Sequence, residues 1–147
     1  MKPVLQALVV ADRIYQDVSG KKIIAGTFNS FLFSTKPLIK EVDLPDGSKQ
    51  TQVAGGMHAG SPYAYISLTD VCKGTRLRVQ FVNLTKNVPL FSTELTLDCD
   101  DRLKTIEVVL PLPMLPVQGP GIYAFEVVCE GDILGSYRIT ARELEVG

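Results

Sequence analysis

The sequence predicts an all-β fold, an antiparallel sandwich of two sheets with about eight strands. Three observations carry this expectation. Apolar and polar residues alternate with period two along most of the chain. Turn residues interrupt these runs at intervals of about 8–12 residues, the spacing of small sandwiches and barrels. No stretch shows the 3.6-residue period of an amphipathic helix.

The elements follow in order. Residues 4–16 read as a strand, and Asp17-Val18-Ser19-Gly20-Lys21 as a turn in which Gly20 supplies a positive φ. Residues 22–34 read as the hairpin partner, with Gly26 a candidate bulge. Residues 35–61 hold Lys36-Pro37, Pro45-Asp46-Gly47, Gly55-Gly56 and Ser61-Pro62, with weak strand signal only over 38–44 and 50–54. A connection of that length carries strands of its own or a function. Residues 63–70 alternate cleanly: Ala64, Ile66 and Leu68 lie opposite Tyr63, Tyr65, Ser67 and Thr69. Residues 75–84 place Leu77, Val79 and Phe81 inward and Arg76, Arg78 and Gln80 outward, with a phase slip at Val82-Asn83-Leu84. Residues 90–98 turn Phe91, Leu95 and Leu97 inward, and residues 103–110 do the same with Ile106, Val108 and Leu110. Pro111, Pro113, Pro116 and Pro120 then break the ladder and force a traverse between sheets. The chain closes on a hairpin about Glu130-Gly131-Asp132. Tyr123, Phe125, Val127 and Cys129 share one face of its first strand, and Ile133, Tyr137, Ile139 and Ala141 face inward from the second.

The 147 residues fit one domain, spanning 1–147. At this size a core forms without a metal or disulfides, since about two-thirds of the unfolded chain's surface is buried. A net charge of −1 argues against a partner held chiefly by phosphate contacts. No apolar run approaches the ~20 residues that span a bilayer. The apolar opening is broken by Gln6 and followed by Asp12-Arg13, unlike a secretory signal. Three cysteines, Cys72, Cys99 and Cys129, are an odd number with no close pair. That composition points to a reducing cytoplasm and structural thiols.

The opening strand, its Gly-Lys turn and the strand to Phe33, with the closing Pro120–Ile139 hairpin, resemble a family of small uncharacterised bacterial β proteins. The resemblance covers most of the chain, implies a fold, and carries over no site residues. The closing hairpin also looks like the last two strands of immunoglobulin-like domains, an architecture shared without shared function.

Several residues invite chemical readings, each against a plainer one. His58, the only histidine, lies between glycines, where nothing local orients it as a base for Ser61 or a thiol. A zinc site from Cys72, Cys99, Cys129 and His58 has suitable ligand types but lacks the short local pairs of structural zinc sites. Asp98, Asp100 and Asp101 surround Cys99 in a turn, with Asp46 and Asp70 as further carboxylates. C2-like sandwiches gather such oxygens for calcium, although aspartates also favour turns for their own backbone bonds. Arg76 with Arg78 and Arg138 with Arg142 would make a basic stripe if their strands were neighbours. Stacking aromatics for nucleic acid are lacking beside them. Tyr63 and Tyr65 occupy the polar parity of their strand, as interface anchors or under cover of residues 35–61. Asn83-Leu84-Thr85 matches a glycosylation acceptor, without meaning in the cytoplasm. No phosphate loop, dinucleotide fingerprint or hydrolase motif is present.

The expectation is a non-enzymatic module with no catalytic residues, cofactor or metal. It binds a protein partner or itself through a sheet face or edge. A small-ligand or calcium site over residues 35–61 and the Asp98–Asp101 turn is the alternative.

Overall fold

The computed structural model describes residues 2–34, 38–54 and 60–144. These form eleven strands and no helix. A four-stranded sheet has the order β2 (Lys22–Thr27), β1 (Val4–Gln16), β6 (Tyr63–Thr69) and β9 (Ile106–Pro111). A five-stranded sheet has the order β3 (Ser30–Phe33), β11 (Asp132–Glu143), β10 (Gly121–Cys129), β7 (Thr75–Asn83) and β8 (Val88–Leu97). The two pack as a β-sandwich. A hairpin of β4 (Leu38–Asp43) and β5 (Lys49–Ala54) is a separate two-stranded sheet.

The count exceeds eight for two reasons. The weak strand signals of the 35–61 connection form β4 and β5. The single strand expected over 22–34 divides into β2 and β3, which belong to different sheets. Gly26 marks the exit from β2, with φ +76° and the Asp12 side chain against its backbone. A side chain there would be strained and would collide with that carboxylate. The chain then crosses over: Thr140 N–H donates to Asn29 carbonyl, and β3 lies parallel to β11. This parallel pairing departs from a wholly antiparallel sandwich. It follows from the crossover, because β3 is reached from the opposite sheet rather than by a hairpin.

Alternation placed the core. Val10, Ala64, Ile66 and Leu68 of the first sheet face Leu77, Val79, Phe81, Phe125 and Ile139 of the second, all 1% exposed or less. Phe81 stacks on Tyr123 at 5.4 Å between ring centroids and tilts against Phe125 at 4.8 Å. The Pro-rich traverse caps this core with buried Leu112, Leu115 and Val117. It is hung by bonds from Leu112 N–H to Pro62 carbonyl and from Leu115 N–H to Gly60 carbonyl.

Besides a shift between Leu5 and Ala7 in the β1–β6 pairing, two ladder irregularities re-aim side chains. The β7–β8 register shifts between Phe81 and Val82, where the sequence phase slips. The β10–β11 register shifts between Val127 and Val128. This second bulge corrects the expected inward face of β11. Ile133 is 56% exposed, and Leu134 packs against the core in its place. The expected strand over 103–110 begins only at Ile106, leaving Leu103 exposed in the preceding turn.

Candidate functional site

One end of the sandwich gathers the loops β6–β7, β8–β9 and β10–β11. A cleft of about 500 Å³ there is lined by Lys73, Asp98, Cys99, Asp100, Lys104 and Ile106. A second, of about 430 Å³, adjoins it at Lys73 and reaches Cys72, Arg76, Cys129 and Glu130. The acidic turn is bound into the fold. Asp98 accepts the Gly74 N–H at 2.8 Å, tying two loops together. Asp100 pairs with Lys104 at 3.5 Å. Asp101 accepts the Leu103 N–H through its side chain and the Lys104 N–H through its carbonyl. Asp70 stands nearby at φ +59°, its N–H donated to Arg102 carbonyl. Asp46 lies apart in the β4–β5 turn, where the Ser48 hydroxyl and N–H hold its carboxyl below the usual range.

The three thiols converge on this end in different settings. Cys72 is exposed, Cys99 is half-buried and Cys129 is buried. Cys99 Sγ donates to Asp101 carbonyl at 3.0 Å. Burial, and after it the Glu130 charge, pushes the Cys129 thiol up. Among the described residues no group of three or more histidine, cysteine or acidic side chains has metal-binding geometry. His58 lies outside the described residues.

Tyr63 and Tyr65 stand on the outer face of the first sheet, half-buried. Tyr63 lies between Ala11 and Pro111, and Tyr65 between Val9 and Val109. The Tyr65 hydroxyl donates to Glu107 Oε2. The two tyrosines therefore sit in a low apolar band rather than stand free as projecting anchors.

The arginines do not form one stripe. β7 and β11 are separated by β10, so Glu126 and Val128 lie between Arg76–Arg78 and Arg138–Arg142. Glu126 accepts from Gln80 Nε2 at 2.8 Å, placing an anionic group mid-face.

The two large sheets end in four outer strands, β2, β9, β3 and β8. β2 starts with Lys22, has six residues and carries Gly26 at positive φ just before its end at Thr27, β3 has four residues, and β9 has six and ends at Pro111. Each is short or guarded. β8 differs: it has ten residues, one charge at Glu94, and its proline at the second position. Its core-facing Phe91, Leu95 and Leu97 are half-buried, as are Ile106, Val108 and Leu110 of β9. Among the described residues, no strand pairs with the outer edge of β8.

Lys73 and Lys104 in the cleft, and the open β8 edge, were missed by sequence reasoning. The lysines come from separate loops and show no spacing signal. A long run with a single charge was visible at 88–97, but its edge position depends on the topology. No protein-family model matches the chain, and no curated protein matches it.

Proposed function

We propose that this chain is a non-enzymatic interaction module that binds protein through the open edge of β8. The length and near-neutrality of that edge carry the reading. An unpaired row of backbone donors and acceptors accepts an added strand, and natural sheets guard such rows with charge, proline or brevity. Three free thiols suit action in a reducing cytoplasm. Among the described residues, no helix is long and apolar enough to cross a membrane. Membership of the small bacterial β family that the opening and closing strands resemble belongs to the same proposal.

The test uses a double variant, Ser92→Lys with Thr96→Lys, which charges two exposed outer-face positions of β8. Capture from the native lysate is compared between this variant and the parent chain, with circular dichroism to check the fold. A partner retained by the parent and lost by the variant supports the reading. Identical retained proteins for both would sink it.

A second reading is favoured by the end cleft, where Lys73 and Lys104 share walls with Asp98 and Asp100. That pattern suits a small ligand carrying both charges. Calcium would have to displace the Gly74 and Leu103 N–H groups and the Lys104 ammonium from their carboxylates. Calorimetric titration with calcium and with zwitterionic metabolites tests this reading, and absence of heat from both removes it.

A further inference from the structure

We infer that the β8 edge takes an extended basic segment of a different protein, apolar at alternate positions and carrying a cation opposite Glu94. The inference rests on the edge-binding reading above and names the chemistry of the partner.

Among the described residues the sandwich is closed on one side and open on the other. The chain from β2 to β3 lays Phe28, Phe31 and Phe33 along the core, and the Tyr137 hydroxyl donates to the Phe28 carbonyl at 2.6 Å. On the other side β8 and β9 end the two sheets. Phe91, Leu95 and Leu97 of β8 and Ile106, Val108 and Leu110 of β9 all pack against the core yet stay half-buried. A strand added to β8 would direct every second side chain into this slot and the others to solvent.

β7 shows what such a strand carries, because it already pairs with the inner edge of β8. The register shift leaves Leu90 unpaired, and from Phe91 to Leu97 the residues then face Phe81 to Thr75 without a break. Over these seven pairs β7 turns Leu77, Val79 and Phe81 inward, all 1% exposed or less, and Arg76, Arg78 and Gln80 outward. Arg78 lies directly opposite Glu94. The same order suits the outer edge, with apolar residues opposite Phe91, Thr93 and Leu95 and a cation opposite Glu94.

Charge favours that cation. Glu94 is exposed, is the one charge of β8, and forms no ion pair among the described residues. Beyond Leu97 the edge runs into exposed Asp98, Asp100 and Asp101, of which Asp100 is paired with Lys104. Opposite charges across a strand pair are favourable, and like charges are unfavourable. A second copy of β8 in this register would set Glu94 against Glu94, so the partner is a different sequence.

The probe is a capped, fluorescent peptide with the sequence of residues 75–81, titrated with the full chain and followed by anisotropy. The parent chain is expected to bind it. A peptide with glutamate at the position of Arg78 is expected to bind about tenfold more weakly. Glu94→Lys is expected to reverse that preference, and Ser92→Lys with Thr96→Lys to lose the arginine peptide. Circular dichroism and a thermal melt confirm that each variant folds. A folded parent that leaves the peptide free at millimolar concentration overturns the inference. Equal affinity for the two peptides, or a preference unchanged by Glu94→Lys, also overturns it. The capture experiment decides separately whether the edge takes any protein, so failure of the peptide leaves that reading standing.

Discussion

The Tyr123 hydroxyl donates to the Gly119 carbonyl at 2.8 Å from within the core, where its ring is stacked on Phe81. It also accepts the Gln118 N–H at 2.9 Å. One phenol thus fastens the end of the Pro-rich traverse to the middle of the second sheet. Gly119 has φ +133°, a conformation that this anchoring fixes. Tyr123→Phe keeps the ring and strands the Gln118 N–H and the Gly119 carbonyl. We expect a loss of about 1–3 kcal/mol in denaturant unfolding with an unchanged m-value.

Leu5 of β1 packs against the bare backbone of Gly135 in β11, where a β-carbon would overlap its Cδ2. This contact closes the sandwich where the long β1 passes over β11. Gly135→Ala is expected to cost about 1 kcal/mol or more through overpacking. In a Leu5→Ala background the same change should cost less, because the colliding methyl is gone. A double-mutant cycle measures that coupling, and simple additivity would contradict the packing.

Alkaline pH should weaken the fold. Burial first, then the hydrogen bond and charge of Glu107, raise the Tyr65 phenol above its ordinary value near 10. Burial raises Tyr137, whose hydroxyl donates to Phe28 carbonyl at 2.6 Å. The unfolded chain therefore loses these protons first. Their contribution is complete below about pH 10 and is lost as the pH rises through the folded values. Denaturant midpoints should fall as the pH rises above about 10, and Tyr65→Phe should flatten part of that fall.

The thiols should separate by reactivity. Exposed Cys72 is expected to react first with a disulfide reagent. Cys99, with its Sγ bonded to Asp101 carbonyl, should follow. Buried Cys129 should react only on unfolding. Mass spectrometry of the labelled peptides gives the order.

Much of the architecture was legible because burial and period two coincide. Leu77, Val79 and Phe81 face the core as their alternation requires, and the slip after Phe81 is a register shift. The misreadings have local physical causes. Ile133 keeps the right parity in sequence, but the bulge at Val127/Val128 turns it outward. The strand over 22–34 looks continuous because Gly26, a kink at positive φ, resembles an ordinary strand glycine. The site was less legible still. Asp98 and Asp100 could be read as an acidic turn, but Lys73 reaches the same cleft from a different loop. The openness of β8 is a property of strand order, which residues 88–97 do not encode alone.

The most direct measurement of edge binding is hydrogen exchange over residues 90–97 with and without the protein captured from the lysate. Amides in this segment are expected to become protected when that partner is added, while those of β1 and β6 stay constant. Exchange in β8 that is fast and unchanged by the partner would contradict edge binding.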